Sequence, residues 1–342
     1  MKIISITTKV LHYLPEEVSH FLALKGLKIA FNTGILQFLV SNKKNLVSAE
    51  LSDESFKNLT KLKNLRSRLG IAAGLDKDGE YIDCLAALGV GFIEVGTVTP
   101  RPQPGNDKPR IFRNIKDKSI LNRLGFNNKG VDALVARLKR KKSDIPVGVS
   151  IGKNFDTPLE KAQEDYLICM EKVYRYSDYL AINISSPNTK NLRDLSSQDY
   201  LNNLLGELKK LQKKLCKRYG YRPLYLKISP DENIDAIENI CNSILDNNLD
   251  GIICSNTTIQ HNDENGRGGI SGLPLFKKST ECLKKVKEIV GEEVLIIASG
   301  GVMSAQDFQE KLSSGANLVQ IYTGFIFEGP ELVQNILDHE AS

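Results

Sequence analysis

The chain has 342 residues, 41% of them apolar, and 46 basic against 41 acidic side chains give a formal charge of +5. That length and apolar content support one large α/β domain with a small appendage, or two ordinary domains, and exclude a disordered chain. The basic clusters, Lys139-Arg140-Lys141-Lys142 and those of 209–218, carry no interleaved aromatic residues, so they read as solvated helix faces rather than a nucleic-acid surface.

Residues 1–10 hold too short an apolar run for a signal peptide, and nowhere do about 18 consecutive apolar residues occur to span a bilayer. Leu14-Pro15-Glu16-Glu17 opens a helix with proline and acids in its first turn, after which Val18, Phe21, Leu22 and Leu27 recur at helical spacing. A second apolar patch follows at Ile35, Leu36, Phe38, Leu39 and Val40. Two short amphipathic helices of this kind either pack on the domain that follows or lie in the interface of a bilayer, and composition favours neither. Residues 41–68, rich in Lys, Asn and Ser, give no firm element and read as a linker.

From residue 69 onward, short apolar runs alternate with longer amphipathic stretches, the pattern of repeated βα units on a parallel sheet. The predicted strands are 69–75, 91–98, 146–151, 179–185, 223–229, 251–256, 294–299 and 318–323. Eight such runs, nearly all ending in a polar or glycine-rich turn, predict a closed (β/α)8 TIM barrel with a small N-terminal helical extension. An open doubly wound sheet would gather its polar strand ends at one switch point instead. Between the second and third runs lies a long irregular insert, 99–130, and a second insert spans 261–275; segments of such length commonly serve as walls or lids.

The strand ends deliver chemistry to one face. Ser299-Gly300-Gly301 after the seventh run and Tyr322-Thr323-Gly324 after the eighth are placed to share a phosphate, as barrels of this class frequently do. Lys77 ends the first run and Lys227 lies within the fifth, where a barrel interior keeps a lysine charged only beside an anion, either a ligand or a carboxylate such as Asp76 or Glu94. Asn122, Asn183, Asn188 and Asn256 each offer a planar amide that donates and accepts, which suits a flat ring with imide and ureide edges. Ser186, Lys77, Lys227 and Cys254 are the candidate nucleophiles or bases, with Ser186 the best presented because Pro187 ends the strand beside it.

His12, His20, His261 and His339 all fall away from the strand ends, and neither an HExxH motif nor clustered carboxylates appear, which disfavours a metal hydrolase. The six cysteines, at long unequal intervals and without a Cys-x-x-Cys pair, read as reduced thiols in a cytoplasmic setting.

Six separated motifs now line up in order: Ala73-Gly-Leu-Asp-Lys77-Asp-Gly, Gly96-Thr97-Val-Thr-Pro-Arg-Pro-Gln-Pro-Gly-Asn, Asn122-Arg-Leu-Gly-Phe126-Asn-Asn, Asn183-Ile-Ser-Ser186-Pro-Asn-Thr189, Ser255-Asn-Thr-Thr and Gln320-Ile-Tyr-Thr-Gly-Phe. Together they resemble dihydroorotate dehydrogenase over about residues 70–337, and more loosely over the first 45. Serine at 186 and the N-terminal helices resemble the membrane-associated, quinone-reducing class rather than the soluble class with a cysteine base. The resemblance implies an FMN-containing barrel that oxidises (S)-dihydroorotate to orotate, the fourth step of pyrimidine (UMP) biosynthesis, and passes the electrons to a membrane quinone. It divides the chain into an extension at 1–45 for membrane and quinone access, a linker at 46–68 and the FMN-binding barrel at 69–342. A monomer is expected, held peripherally on the cytoplasmic side of the cell membrane.

Carried over by position, the resemblance gives FMN to Ala73, Gly74, Leu75, Asp76, Lys77, Thr97, Ser150, Asn183, Lys227, Ser255, Gly272, Gly301, Tyr322 and Thr323. It gives the pyrimidine to Lys77, Asn122, Arg123, Leu124, Gly125, Phe126, Asn183, Asn188, Asn256 and Thr257. Ser186 is the implied base, with Thr189 and a water beside Phe126 as its relay and Lys77 facing the substrate carboxylate. Ser150 stands where the family usually has Asn, a shorter hydroxyl that still reaches a flavin directly or through a water. His20 and Arg113 are the quinone-tunnel candidates. The alternatives are a flavin barrel acting on RNA, such as a tRNA dihydrouridine synthase, which lacks the Ser-Pro-Asn turn and uses a cysteine acid, and a membrane-docked phosphate-binding barrel without catalysis.

Overall fold

Inward and outward residues alternate along the apolar runs, and that alternation builds two separate cores. Tyr179 and Ala181 join a cluster with Phe92, Tyr225, Ile253, Leu295, Ile297 and Leu318, whereas Leu180 and Ile182, between them, join a larger one shared with the surrounding helices. The computed structural model describes residues 11, 13–40, 54–188, 192–193 and 198–341. Its strands are β1 (Leu69–Ile71), β2 (Phe92–Val98), β3 (Ile111–Asn114), β4 (Ser119–Asn122), β5 (Val147–Ile151), β6 (Tyr179–Asn183), β7 (Leu224–Ile228), β8 (Gly251–Cys254), β9 (Gly269–Gly272), β10 (Leu295–Ser299) and β11 (Leu318–Ile321).

Eight of these close into a parallel barrel in the order β1-β11-β10-β8-β7-β6-β5-β2, and they are the eight runs expected from the sequence. Closure is made by β1, which pairs with β11 at Leu69↔Val319 on one side and with β2 at Gly70↔Phe92 on the other. The two inserts differ from expectation. They are not irregular: β3 and β4 form a hairpin in the first, and β9 from the second pairs antiparallel with β4, giving a three-stranded sheet. Backbone groups in a long connection need partners, and here each insert supplies the other's.

Residues 54–60 are also more ordered than a linker. They form a helix, Glu54–Thr60, whose Phe56 enters the inner cluster beside Phe92 and Tyr179 while Tyr225 donates its hydroxyl to Thr60 O at 3.1 Å, so this segment plugs the barrel's N-terminal end. Of the same expected linker, 41–53 lies outside the described residues.

At the N-terminus, α1 (Glu16–Asn32) and α2 (Ile35–Val40) make a helical hairpin. One face packs on the barrel through buried Leu24 and Leu36, with Leu27, Ala30 and Phe31 alongside. Glu17 ties it down by accepting from Arg110 and Lys108, both at 2.6 Å. The opposite face leaves Val18, Phe21, Ile29, Ile35 and Phe38 in solvent, the last 81% exposed. The packing reading therefore holds for one face, and the other is apolar and exposed. No helix among the described residues is long and apolar enough to cross a membrane.

The closed end of the barrel is packed by aromatic rings set against glycines. A methyl group at Gly148 would lie 2.0 Å from Tyr179 Cζ, one at Gly70 2.4 Å from Phe92 Cζ, and one at Gly251 2.6 Å from Tyr225 Cδ1. The rings of Tyr179 and Tyr225 stand 4.9 Å apart, so neither has room to retreat. Gly148→Ala is expected to cost about 3 kcal/mol, the upper end for overpacking, in urea unfolding; a loss below about 1 kcal/mol would show that this layer yields freely.

Candidate functional site

Each barrel strand passes from apolar to polar along its inward positions: Tyr179, Ala181, Asn183 on β6; Leu295, Ile297, Ser299 on β10; Leu318, Gln320 and then Tyr322 after β11. The C-terminal mouth is therefore where polar groups converge. Glu94 sits at the boundary, fully buried, accepting from Gln320 Nε2 at 2.9 Å and Tyr179 OH at 3.2 Å, with Lys227 Nζ 3.8 Å from its other oxygen. At that distance the lysine is only loosely held, and it also lines the cavity above.

That cavity gathers most of the expected residues. Ala73, Gly74, Lys77, Thr97, Asn122, Leu124, Gly125, Phe126, Asn183, Ser186, Asn188, Lys227, Ser255, Asn256, Thr257, Gly272, Gly301, Tyr322 and Thr323 line one space. The amides are ordered by one another: Asn183 Nδ2 donates to Thr97 Oγ1 at 2.9 Å, Asn256 Nδ2 to Ser185 Oγ at 3.1 Å, and Asn188 Nδ2 to Asn122 O at 3.1 Å. Asn122 in turn donates to Gly269 O at 3.2 Å, so the mouth's loops are stitched to the β3-β4-β9 sheet. Ser186 is buried on the loop after β6, and its Oγ accepts from the Asn188 amide at 3.3 Å.

Gly125 and Phe126 both take positive φ, 68° and 54°, an unfavourable conformation for the phenylalanine. Asn128 stabilises this turn by donating to Phe126 O at 2.7 Å and Thr99 Oγ1 at 2.8 Å while accepting from Gly130 N at 2.8 Å. The outcome is a ring held over Thr97 and Gly152 at the cavity edge.

Four expected residues stand elsewhere. The Asp76 carboxylate turns away to accept from the Glu80 and Tyr81 amides at 2.8 and 2.7 Å, and burial raises it to about 6. Ser150 is fully buried behind Thr97, bonded to its hydroxyl at 2.8 Å, so it acts through that threonine rather than at the cavity surface. The Arg123 guanidinium reaches out to Asn265 O at 2.9 Å and stacks on Phe112 at 4.7 Å, leaving the cavity to its neighbours. Leu75 lines a second cavity instead. Thr189 lies outside the described residues. Ser299 and Gly300 line the mouth as their place beside the expected phosphate corner implies, whereas Ala72, Ser271, Leu275 and Gln320 line it and were given no ligand beforehand, although alternation along β11 marks Gln320 as inward.

The second cavity, of about 570 Å³, opens between the helical hairpin and the barrel. Leu22, Leu24, Leu27, Ala30, Leu36, Ile111, Ile120 and Phe325 make it apolar, and both tunnel candidates, His20 and Arg113, line it. His20 Nε2 lies 3.0 Å from Leu75 O, which assigns the proton to Nε2, and burial lowers the imidazole to about 4, so the ring is neutral. Arg113 Nη1 is buried without a hydrogen-bond partner among the described residues. Gly74, Lys77 and Tyr322 line both cavities and form the wall between them.

Lys77 has no hydrogen bond or ion pair from its ammonium among the described residues, and its exposure is to the cavities rather than to bulk water. Burial, and then the charge of Arg110, lower it to about 8. Thr257 Oγ1 and Gln320 Oε1 are likewise buried and unpartnered. Unpaired buried groups at one mouth await the polar edges of a ligand.

A family model described as dihydroorotate dehydrogenase matches residues 57–340. A quinone-type dihydroorotate dehydrogenase from Shewanella loihica is 49% identical over 340 residues, covering 97% of each chain. One from Vibrio parahaemolyticus is 52% identical, covering 80% of this chain and 83% of its own. A crystal structure of the Eimeria tenella enzyme in complex with ferulenol superposes with a TM-score of 0.80 at 33% identity, covering 96% of this chain and 93% of that one.

Proposed function

The chain belongs to the dihydroorotate dehydrogenase family and, as a flavoprotein of pyrimidine biosynthesis, oxidises dihydroorotate with a quinone as electron acceptor; from that premise we propose which group each cavity holds and which residues act. The polar mouth holds FMN and the pyrimidine, the apolar cavity admits the quinone, and the wall of Gly74, Lys77 and Tyr322 lies between the two half-reactions. The shared wall is the observation that carries this reading.

The unpartnered Lys77, Thr257 Oγ1 and Gln320 Oε1 fit a flavin and a pyrimidine, both of which present carbonyl and N–H edges. Thr97, Asn183, Lys227 and Ser255 hold the ring system, and Gly272, Gly301, Tyr322 and Thr323 form the phosphate corner. When bound, FMN would supply the redox chemistry, a hydride acceptor for C6 of dihydroorotate and an electron donor for the quinone. Asn122, Asn188, Asn256 and Thr257 orient the pyrimidine, and Lys77 places its charge toward the substrate carboxylate.

Ser186 removes the proton at C5. A serine hydroxyl is a weak base, so its own proton must pass onward, and Thr189 with a water beside Phe126 is the proposed relay. The closing of this space by Leu124, Gly125 and Phe126 keeps bulk water from the reacting carbons. In the apolar cavity the unpaired Arg113 Nη1 is the donor for a quinone carbonyl, while the neutral His20, with Nε2–H given to Leu75 O, has Nδ1 free to accept.

The exposed apolar face of α1 and α2 beside this cavity supports peripheral docking on a membrane, where quinones partition, with the cytoplasmic side as the expected one. In this reading the extension through residue 45 gives access to the acceptor and the barrel performs the oxidation.

Ser186→Ala is expected to slow flavin reduction by dihydroorotate at least about 100-fold in single-turnover measurements while leaving the flavin bound; a near-normal rate would remove Ser186 as the base. Orotate binding tests Lys77. The group is charged below about 8 and neutral above it, so orotate affinity in the holoenzyme is expected to fall about tenfold between pH 7 and 10. Affinity constant across that range would contradict a charge on Lys77 facing the carboxylate.

A further inference from the structure

Lys311, on the helix Ala305–Ser313, is completely buried and has no carboxylate within ion-pair distance among the described residues. Its three N–H donors are all spent on one turn: Ser279 Oγ at 2.7 Å, Thr280 Oγ1 at 2.7 Å and Phe276 O at 3.3 Å, with the ammonium 4.6 Å from the Phe276 ring centroid. That turn opens the helix Phe276–Val290. Neutral oxygens satisfy the donors but leave the charge uncompensated, an arrangement rarely kept in a protein interior without a counter-charge.

The same turn is the backing of the Gly300-Gly301 loop. Ser279 Oγ lies 2.9 Å from Gly300 O, and a methyl group built on Gly301 would fall 2.4 Å from Phe276 Cα. On its other side the loop lines the polar cavity, together with Ser299 and Leu275. The ammonium, Ser279 and the Gly300 carbonyl thus form a continuous chain ending at the corner where the cofactor's phosphate is read.

We propose that Lys311 is a positioning residue for that corner, bracing the Gly300-Gly301 loop through Ser279 and supplying the buried positive charge that favours a phosphorylated flavin over an unphosphorylated one. The inference rests on the FMN reading. Burial lowers Lys311 to about 7. The groups facing it are Cys254 and Cys282, whose burial keeps the first thiol protonated, and Glu310 and Asp307 of its own helix. The dianion of a phosphate ester would hold the lysine in its charged form, so flavin binding and lysine protonation support each other.

The test compares FMN with riboflavin, titrated into the flavin-stripped full chain and followed by quenching of flavin fluorescence. Lys311→Met is expected to weaken FMN binding about tenfold and to change riboflavin binding less than about twofold. Equal losses for both ligands, or no loss for either, would overturn the proposal, the first by making the lysine a fold residue only. Ser279→Ala keeps the charge and cuts its link to Gly300, so a smaller loss for FMN alone is expected; should Lys311→Met fail to fold, an unchanged FMN-to-riboflavin ratio in Ser279→Ala overturns the proposal by itself. A wild-type chain with no preference for FMN would instead refute the assignment of the phosphate corner, and the role of Lys311 with it.

Discussion

Everything in the proposed chemistry depends on a wall three residues wide. Gly74, Lys77 and Tyr322 face a polar cavity on one side and an apolar one on the other, and a methyl group at Gly74 would come within 3.3 Å of the Tyr322 ring. The φ of Gly74, 99°, is one that side-chain-bearing residues rarely adopt, so the close approach and the backbone both call for glycine there. In the proposed reading, two substrates of opposite polarity thereby approach one redox group without sharing a space. Mixing them in a single cavity would demand a lining that solvates both, and neither surface does so.

The cations follow a pattern consistent with this division. Among the described residues Lys77 lacks a partner, Lys227 is only loosely paired to Glu94, Lys311 is buried with neutral acceptors, and one guanidinium nitrogen of Arg113 is unpaired. A protein interior tolerates such groups where a ligand completes them. Three stand around or behind the site proposed for an anionic cofactor and an anionic substrate; the fourth stands in the apolar cavity, where the proposed acceptor would offer a carbonyl. The N-terminal hairpin closes that cavity with its barrel-facing side and leaves its other side apolar and exposed, so in the proposed reading access to the acceptor and contact with a membrane come from the same two helices.

Much of this was legible before the fold was seen, and the physical reason is periodicity. The eight barrel strands carry inward residues two apart and nearly all run into a polar or glycine-rich turn, so strand, direction and site face could be read together; Ser186 and the asparagines follow from that. The β3-β4-β9 sheet was not readable, because its pairing of Leu121 with Ile270 joins inserts far apart in the chain and leaves no local signal. Phe56 escaped notice because one aromatic residue in a polar stretch gives no helical period. Asp76, Ser150 and Arg123 show a different limit: a motif locates a backbone at the mouth, while the side chain's direction is set by which donors lie nearby, here the Glu80 and Tyr81 amides, Thr97 Oγ1 and Asn265 O. Lys311 was hidden among surface-like lysines, since only packing reveals that one of them is buried.

The separateness of the two half-reactions is the claim most directly open to measurement. Ala30 lines the apolar cavity and not the polar one, so Ala30→Trp fills the acceptor's space without touching the mouth. In anaerobic stopped flow, dihydroorotate should bleach the variant's flavin at the wild-type rate, while reoxidation by a quinone analogue should slow at least about tenfold. Equal slowing of both phases, or of neither, would contradict two cavities meeting at one wall.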